Sequence, residues 1–587
     1  MPSTRFEISE CPQSEVGRLE RELGVSGAVA QVLVRRGFAE PAGARAFLAA
    51  EDEYPPSAFA DIEVAVELIL RHVNCGELIT IHGDYDVDGV CSTAVLVRAL
   101  RDLGANVDWY LPDRASDGYG LNEATVRRLH ARGTRLLVTV DCAITAVDEV
   151  AIARALGMDV VVTDHHAPRA DGALPDAPIV HPLIGSYPCP ELCATAVAYK
   201  LAQALRHGAG GLREERELRE DLDLVALATI ADVVPLVGEN RALVRRGLRA
   251  LQSTTKPGLR ALMAVSRVDP GRVNERSVSF GLAPRLNAAG RLYRADAGLE
   301  LILAEDPERA MQIAEELDRA NRERRHVETQ IRYQAEAKIA ERPDRACYVL
   351  AGEDWHPGVI GIVASRLVER HRRPVVMISL KDDVGRGSGR SIDAFDLLGG
   401  LTACEGHLLR YGGHRAAAGL EIERGRVEEF AEALNAHVEH VLEPQDMVAV
   451  ERVDAVVGGD ELGMTLAEEL QRLAPFGRGN PGVSLLVKDA TFRDGRPMGE
   501  GKHVRFTVES RGARARAVAF GTGGRLPVED GAPAEATFTL EINEWNGVTE
   551  PRLVLRQARP AASTPELSRT DAEGDAVEEL VLFALPG

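Results

Sequence analysis

The sequence has few aromatic residues, few cysteines and no long apolar run. Phe, Trp and Tyr make up 4% of its 587 residues, so Ala, Val and Leu must fill its cores. Eight cysteines are too few for a disulfide framework in so long a chain, which favours the reducing cytoplasm. No apolar run approaches the roughly 18 residues of a membrane helix, and the start MPSTRFEISE lacks the apolar segment of a signal peptide. These absences predict a cytoplasmic protein rather than a membrane, secreted or fibrous one.

Positive charge is also in deficit, because 69 Lys and Arg face 90 Asp and Glu, a formal net charge of −21. Such a balance argues against a protein that coats nucleic acid with its whole surface, but it allows a local basic channel. Residues 241–294 depart from the average, with twelve Lys and Arg against two acidic residues. A solvated helix face would mix the signs, so this stretch predicts phosphate contacts and a steep salt dependence of binding.

The length predicts about three to five domains at roughly 100–200 residues each. We expect an α/β multidomain fold: a helical segment at 1–70, an α/β domain with a helical part at 71–305, a connecting helix at 306–342, a smaller α/β domain at 343–446, a small antiparallel β-barrel of the oligonucleotide-binding type at 447–558 and an acidic tail at 559–587. Asp306 is placed to cap the connecting helix, and Pro307 suits its first position.

In the first α/β domain, continuous apolar strands alternate with helical patterns. This predicts a doubly wound parallel sheet that is covered on both faces. The strands are expected at Leu78–Ile81, Val107–Leu111, Leu136–Val140 and Val160–Val162, and the helices at Ala94–Leu103, Glu123–His130 and Ala146–Leu156.

The strongest chemical signal directly follows the first of these strands, in the segment HGDYDVDG that begins at His82. Asp84, Asp86 and Asp88 stand at alternate positions, where like charges repel and raise each other's pKa. A bound cation removes that cost. The alternative is a solvated acidic turn, which His82 and the abrupt change from strand to helix disfavour.

Two further strands of this domain end in acid or imidazole groups. Leu136–Val140 runs into Asp141, and the next strand runs into Asp164, His165 and His166. Because sites in open parallel sheets form outside the carboxyl ends of the strands, we expect one shared site.

Asp232 is a fourth candidate, in the otherwise apolar run 224–235. It could be a helix cap, but the three neighbouring clusters favour a ligand. Carboxylates and imidazoles without cysteine suit Mn²⁺ or Mg²⁺ better than structural zinc. Two such ions about 4 Å apart, bridged by one carboxylate, would support hydrolysis of a phosphodiester or a pyrophosphate.

These motifs resemble those of the DHH phosphoesterases, and Gly412-Gly413-His414 resembles the signature of the DHH-associated domain. By that resemblance, 71–305 is a DHH domain and 343–446 a DHH-associated domain. The segments that are similar to the bacterial 5′→3′ exonucleases of single-stranded DNA in this family are YPCPELCATAVAYK (187–200), IADVVPLVGENR (230–241), PRLNAAGR (284–291), WHPGVIGIVASRL (355–367), GRGSGRS (385–391), YGGHRAAAG (411–419) and APFGRGNPGV (474–483).

The resemblance implies two metal ions, Mn²⁺ or Mg²⁺, that share Asp141 as a bridge. One ion would be held by His82, Asp86 and Asp141, the other by Asp88, Asp141, His165 and Asp232. His166 would contact the scissile phosphate, and Asp84 and Asp164 would orient the ligands. Asp84 could also be a ligand itself.

The resemblance also implies residues that bind the strand and its 5′-phosphorylated end: Arg114, Arg285, Asn287, Arg291, Ser388, Arg390, Gly413 and His414. From the residues alone, GRGSGRS is either a flexible glycine loop or a set of accessible backbone N–H groups and Arg side chains for phosphate. His414 alone could equally be a structural histidine. Aromatic residues that can stack on bases are Tyr119, Phe476, Phe506, Phe520 and Trp545, although alternation in a small barrel turns about half of its residues inward.

The resemblance therefore implies a two-metal exonuclease that degrades single-stranded DNA from the 5′ end in recombination and repair. It further implies a monomer near the bacterial nucleoid, with a single-strand-binding protein and a RecQ-type helicase as candidate partners. Two alternatives stay open. One is a phosphodiesterase for short oligonucleotides or cyclic dinucleotides, which needs no barrel. The other is a non-catalytic single-strand-binding scaffold, which the full set of candidate ligands disfavours.

Overall fold

The computed structural model describes residues 4–113, 118, 120–208, 221–292, 296–545 and 547–561, with the backbone alone for 289, 291, 292 and 545. They form two compact units. The first runs up to Ala455 and includes Thr465–Val483, and the second combines Val456–Met464 with the chain from Ser484 onward. Across the described ranges, none of the helices combines the length and apolar character of a membrane span.

The N-terminal segment is mainly helical, as its amphipathic patterns predict. It contains β1 (Arg5–Glu7), α1 (Gln13–Leu23), α2 (Gly27–Arg35), α3 (Pro41–Ala49) and α4 (Ile62–Cys75). Strand β1 pairs in parallel with Val450–Arg452, so the start of the chain is tied to a segment that follows the second α/β domain.

The first α/β domain contains five parallel strands, and a helix follows each of the first three. In chain order, these strands and helices are β2 (Ile79–His82), α5 (Val87–Asp102), β3 (Val107–Tyr110), α6 (Glu123–Ala131), β4 (Leu136–Thr139), α7 (Val147–Ala155), β5 (Asp159–Thr163) and β6 (Ile179–Val180). The strand order is β3-β2-β4-β5-β6. Leu136 and Val138 pack on one face with α5, and Leu137 packs on the other with α6 and α7. The predicted doubly wound sheet is confirmed, and its order reverses between β2 and β4, where such folds place ligands.

Helix α5 begins at Val87 rather than at the predicted Ala94. The carboxylate of Asp86 accepts hydrogen bonds from the backbone N–H groups of Asp88 and Gly89, at 2.9 and 3.1 Å. This cap starts the helix directly after the acidic segment, because it satisfies two of the first turn's backbone donors. Asp88 is therefore a helical residue.

A helical region follows, as predicted. Its helices are α8 (Ala194–Gly208), α9 (Leu222–Ala231), α10 (Gly238–Gln252), α11 (Pro257–Ser266), α12 (Glu275–Ser277), α13 (Ala283–Leu292), α14 (Asp296–Leu303) and α15 (Pro307–Glu341). Asp306 caps α15 by accepting a hydrogen bond from Arg309 N at 2.9 Å, which confirms the predicted start. The 35 residues of α15 span two cores, with Leu317 in the first domain's core and Ile331 in that of the second.

The second α/β domain has a mixed sheet of order β10-β11-β9-β8-β7. Its elements are β7 (Tyr348–Gly352), α16 (Pro357–His371), β8 (Val375–Lys381), β9 (Val384–Arg390), α17 (Leu397–Ala403), β10 (Arg410–Gly413), β11 (Ala417–Glu423) and α18 (Val427–Val441). The alternative of a flexible loop at GRGSGRS is excluded, because β9 pairs with β8 and β11 on its two sides. Its glycines serve packing: a Cβ on Gly387 would lie 2.7 Å from the Leu420 side chain.

The second unit contains the predicted small barrel. After β12 (Val450–Arg452), β13 (Ala455–Val456) and α19 (Met464–Gln471), the strands are β14 (Leu485–Met498), β15 (His503–Ser510), β16 (Ala513–Ala519), β17 (Pro533–Trp545) and β18 (Val548–Pro560). The pairing of β14 with both β15 and β17 closes the barrel, which is antiparallel except where β16 and β18 pair in parallel. Phe492, Phe506 and Phe538 fill its interior. Most of the predicted acidic tail lies outside the described residues.

Candidate metal centre

Acidic and imidazole side chains converge at the carboxyl edge of the parallel sheet. His82 is the last residue of β2, Asp141 follows β4, and Asp164 follows β5. The three strands are in register, with His82 opposite Thr139 and Thr139 opposite Val162. The groups that follow these strands therefore lie side by side.

The turn from β2 into α5 is tightly packed and fixes two carboxylates. A Cβ on Gly89 would lie 2.5 Å from the backbone N and O of Asp84, so only glycine fits at this close approach. Asp86 is held at the start of α5 by its two backbone hydrogen bonds. Both carboxylates thus occupy positions set by the backbone rather than by long, mobile side chains.

Asp88 is held by the first turn of α8. Its carboxylate accepts hydrogen bonds from Ala194 N and Thr195 N, both at 2.8 Å, and from the Thr195 hydroxyl at 2.6 Å. The positive end of the helix dipole and three donors thus surround a side chain that is almost fully buried. No local pattern in the sequence indicates that Thr195 takes part, because it lies more than a hundred residues from Asp88.

Asp141 stands on strained backbone. Its φ is +61°, and that of Ala143 is +82°, both in the left-handed region that non-glycine residues rarely adopt. Burial raises the pKa of Asp141 well above its ordinary value, and the charges of Asp88, Asp86 and Asp84 raise it further. Strain and crowded charge at one residue are typical of a functional position.

Asp164 orients the two histidines that follow it. Its carboxylate accepts hydrogen bonds from the backbone N–H groups of Ile144, His165 and His166, and from His166 Nδ1 at 2.7 Å. Burial opposes its ionisation, but the hydrogen bond and charge of His166 bring the pKa of Asp164 below its ordinary value. Burial by itself would lower the pKa of His166. The hydrogen bond to Asp164 outweighs the effect of burial and raises the pKa of His166 to about 9.

His165 lies among three carboxylates. Its Nε2 is 3.2 Å from a carboxylate oxygen of Asp141, 3.7 Å from one of Asp232 and 3.8 Å from one of Asp88. Burial raises the pKa of Asp232 to about 8, and the charges of Asp88 and Asp86 contribute. Asp232 also ends α9, so it is both the C-terminal cap residue and a member of the cluster.

The ligand atoms of this region fall into three overlapping groups, each within 4.8 Å. The groups are Asp84–Asp86–Asp141, Asp88–His165–Asp232 and Asp141–His165–His166. Asp141 and His165 each belong to two groups. Asp141 thus lies in the groups of Asp84–Asp86 and of His165–His166, and its role as a bridge between two ions stays a prediction.

His82 lies beside these groups but belongs to none of the three. It is fully buried, and its Nδ1 is 3.5 Å from Cys142 Sγ. The first group contains Asp84 where the predicted ligand set has His82. Which of these two residues is a direct ligand therefore remains a prediction.

The donor set fits hard divalent ions. Buried carboxylates and imidazoles, with no thiolate in the three groups found among the described residues, are the ligands that Mn²⁺ and Mg²⁺ accept. The raised pKa values of Asp141 and Asp232 show the electrostatic cost of this cluster without a cation. A bound cation would remove that cost.

A cleft of about 270 Å³ adjoins the cluster on the side of Asp232. Its walls include Val233, the predicted phosphate-binding residue Asn287, and Arg324 and Arg366 from α15 and α16. Asn287 Oδ1 accepts a hydrogen bond from Val87 N at 3.1 Å, so Asn287 also fixes the start of α5. Arg324 and Arg366 both pair with the buried Glu328, at 2.9 and 2.6 Å.

Ser388 and Arg390 lie on β9 and face helix α16. Arg390 donates to Ser388 Oγ at 3.1 Å, and a Cβ on Gly361 of α16 would lie 2.9 Å from that oxygen. The prediction that backbone N–H groups of this segment bind phosphate is wrong, because the ladder with β8 and β11 uses them. The side chains of this strand, rather than its backbone, are therefore available to a phosphate.

The other predicted phosphate contacts differ in their surroundings. Arg285 pairs with Asp318 at 2.9 Å, and Gly413 and His414 are exposed at the end of β10. Arg114 and the side chain of Arg291 lie outside the described residues, and their roles stay predictions.

The basic stretch 241–294 does not act as one phosphate-binding surface. Arg241 is buried and donates to the carbonyl oxygens of Phe47 and Leu473, while Lys256 pairs with Asp223 at 2.8 Å. Arg246 likewise pairs with a carboxylate of the N-terminal segment. The prediction is wrong for these residues, because carboxylates and carbonyl oxygens from distant parts of the chain compensate their charge. Local composition cannot reveal such partners.

The candidate aromatic residues also differ in how exposed their side chains are. Phe506 is part of the barrel core, whereas Phe520 is 46% exposed and lies edge-on to His503 with ring centroids 5.2 Å apart. Phe476 is half-buried. Tyr119 and the side chain of Trp545 lie outside the described residues.

His181 is a site residue that the sequence did not indicate. Its Nδ1 accepts a hydrogen bond from Leu183 N, so its Nε2 donates to the carbonyl oxygen of His166 at 2.9 Å. It is fully buried after β6, a strand of two residues that was too short to be predicted.

Three regions of the chain match known domain families. Residues 78–229 match the DHH family, N-terminal domain, residues 344–440 the DHHA1 domain, and residues 453–557 the RecJ OB domain.

Two curated proteins are similar over most of the chain. The single-stranded-DNA-specific exonuclease RecJ of Bacillus subtilis (strain 168) is 38% identical over 595 residues, which cover 99% of this chain and 74% of that protein. The protein of the same name from Escherichia coli (strain K12) is 35% identical over 534 residues, with coverage of 86% and 91%. The crystal structure of RecJ in complex with Mn²⁺ from Thermus thermophilus has a TM-score of 0.82 at 31% identity, covering 95% of this chain and 80% of that one.

Proposed function

This chain belongs to the RecJ family of single-stranded-DNA-specific exonucleases, and on that premise we propose that its carboxylate–imidazole centre cuts nucleotides from the 5′ end of a single DNA strand. The resemblance seen in the sequence is thereby confirmed. The observation that carries the proposal is the convergence of three overlapping ligand groups, two of which share Asp141, at the switch point of the sheet.

We assign two divalent ions to this centre. One would be held by His82, Asp86 and Asp141, with Asp84 as an alternative ligand, and the other by Asp88, Asp141, His165 and Asp232. RecJ of T. thermophilus has been solved with Mn²⁺ and with Mg²⁺, which supports either metal here. When bound, the two ions would activate a water molecule and neutralise charge on the scissile phosphate.

The protein's own contribution is to hold these ligands in position before substrate arrives. The first turn of α8 fixes both oxygens of Asp88, and the first turn of α5 fixes Asp86. Fixed ligands lose little freedom when the reaction begins, which lowers the barrier relative to flexible ones.

We assign His166 to the scissile phosphate. Asp164 holds its Nδ1 at 2.7 Å and so turns its Nε2 away from the carboxylate, while the side chain remains partly exposed. An imidazolium in this orientation can donate a hydrogen bond to a non-bridging phosphate oxygen. Asp164 acts through His166 and is a positioning residue.

We propose that the second α/β domain supplies the 5′-end contacts. Ser388 and Arg390 would bind a 5′-phosphate together with Arg114 and Arg285, and Gly413 and His414 would line the same region. The barrel, which matches the RecJ OB domain, favours a polymeric substrate over a dinucleotide.

The remaining expectations are further proposals. We infer a monomer in the bacterial cytoplasm, associated with the nucleoid, that works in recombination and repair. A single-strand-binding protein and a RecQ-type helicase are the proposed partners, because a single strand must be exposed before such an enzyme can act on it.

The test uses 5′-phosphorylated single-stranded DNA that is labelled at its 3′ end, incubated with Mn²⁺ beside duplex and RNA counterparts. Shortening products that all keep the label, with blunt duplex left intact, are expected. Immediate loss of the label would overturn the 5′→3′ direction. Intact long DNA with cleavage of short oligonucleotides or cyclic dinucleotides would overturn the polymer substrate, and binding without any cleavage would indicate a scaffold.

A further inference from the structure

A loop from a distant part of the chain approaches the metal centre near Asp232. Leu236 N donates a hydrogen bond to the carbonyl oxygen of Arg478 at 2.7 Å. The glycines on both sides of Arg478 pack closely: a Cβ on Gly477 would lie 2.8 Å from Leu236, and one on Gly479 would lie 3.2 Å from Pro235. The backbone around Arg478 therefore lies against the segment that directly follows Asp232.

This loop is rigidly anchored. Asn480 is buried, and its Nδ2 donates to the carbonyl oxygens of Leu473 and Pro475, both at 2.8 Å. Its Oδ1 accepts a hydrogen bond from Arg36 at 2.6 Å. A backbone bridge between Gly477 and Asn480 closes the turn. The position from which the Arg478 side chain extends is thus fixed by the fold.

The Arg478 guanidinium has a different environment from the other arginines of this region. Arg241 and Arg36 donate to carbonyl or carboxylate oxygens. Arg478 is exposed, and within the described ranges of the chain its side chain has neither an ion pair nor a hydrogen bond. Its backbone lies against Pro235 and Leu236, which follow Asp232 in the chain.

We propose that Arg478 is a phosphate-binding residue of this enzyme, which holds a backbone phosphate of the bound strand on the Asp232 side of the metal centre. The inference rests on the proposed function, because it needs a nucleic-acid strand at that centre. An exposed guanidinium on an anchored turn beside a cluster of carboxylates is a suitable partner for a phosphate, which it can bind through two parallel hydrogen bonds.

The test measures how the affinity for DNA depends on salt. Full-length protein is titrated with a 5′-phosphorylated oligothymidylate, with Ca²⁺ in place of Mn²⁺ to limit cleavage, at several salt concentrations. Each phosphate contact on a single strand contributes about 0.7 to the slope of log affinity against log salt. Arg478→Gln is expected to lower this slope by about 0.7 and to weaken binding several-fold at low salt, whereas Arg478→Lys keeps the slope.

Arg472→Gln is the matched control, since it removes an equally exposed charge from the same segment without touching the turn at 477–480. Equal slopes for Arg478→Gln and Arg472→Gln would overturn the proposal, as would a lowered slope that Arg478→Lys fails to restore. Failure of the proposed function is distinguishable, because wild-type protein would then not shorten the strand with Mn²⁺. Equal melting temperatures of the variants exclude a folding defect as the cause.

Discussion

Two segments of this chain concentrate charge of one sign, and their side chains have opposite surroundings. The acidic segment after β2 sends Asp84, Asp86 and Asp88 into ligand groups that are linked by Asp141 and His165, where like charges face one another. In the basic stretch 241–294, Arg241 instead points to carbonyl oxygens and Lys256 to a carboxylate. One segment needs an external counter-ion, whereas these residues of the other have oxygen partners within the protein.

This contrast distinguishes a cluster of charges that serves function from one that serves structure. Charge that converges without compensation raises the free energy of the folded protein until a ligand arrives, so such an arrangement serves binding. Charge that is compensated by distant parts of the chain stabilises the fold and has little left for a substrate. Arg478, which has no such partner among the described residues, resembles the acidic segment in this respect.

The largest expected effect comes from removing the residue on which the acidic groups converge. Asp141→Ala should lower the rate of cleavage by about a thousandfold, the scale on which loss of a single preorganised electrostatic group acts. Binding of single-stranded DNA should change little, because the substitution leaves the cationic residues in place. Single-turnover cleavage and equilibrium binding with Ca²⁺ measure the two effects separately.

Asp148→Ala is the control for this substitution, because it removes an exposed carboxylate from α7 in the same domain. It should cut at the wild-type rate. An Asp141→Ala variant that also cuts at that rate would show that the convergence at Asp141 has no catalytic role.

The second expectation tests the basic stretch. Arg241→Met keeps the unbranched apolar part of the side chain but leaves buried carbonyl oxygens, among them those of Phe47 and Leu473, without their donor. The free energy of unfolding should fall by about 3 kcal/mol, since each buried acceptor left unsatisfied costs roughly 1–3 kcal/mol. Urea unfolding measures this loss.

Arg249→Met, on the exposed side of the same helix α10, is the control and should leave stability nearly unchanged. The salt slope of DNA binding should be the same for wild type and both variants. If Arg241→Met lowered that slope without lowering stability, Arg241 would be a phosphate contact and the contrast between the two segments would fail.

The third expectation concerns pH. In the metal-free protein, the pKa of Asp232 is raised from about 3.8 to about 8, mainly by burial. At intermediate pH the folded protein therefore keeps a proton that the unfolded chain has released, so stability falls as the pH rises through this range. The melting temperature in EDTA should drop by a few degrees between pH 5.5 and 8. Asp232→Asn should reduce the drop, and excess Mn²⁺ should reverse it in wild type; a melting temperature that rises with pH would contradict the charge crowding.

The sequence predicts most of the centre because its signals are local. Strand ends carry Asp141 and Asp164–His166, and parallel strands bring such ends together whatever the details of packing. The same reasoning cannot find Thr195 or His181, whose contacts depend on how α8 and β6 dock. It also misplaces the glycines of β9, since a glycine needed for close packing has the same local pattern as one in a loop.

The smallest expected effect concerns the second α/β domain, where Arg390 and Arg386 offer a comparison on a single strand. Both lie on the same face of β9, but Arg386 pairs with Glu421 at 3.4 Å, whereas Arg390 contacts Ser388. Arg390→Ala should reduce the preference for a 5′-phosphate over a 5′-hydroxyl by about tenfold, the size of one hydrogen bond to a charged group. Arg386→Ala should keep the preference, because its charge is already compensated. Competition between the two substrates in one reaction measures the ratio directly, and an equal loss of cleavage on both substrates would remove Arg390 from the 5′-phosphate site.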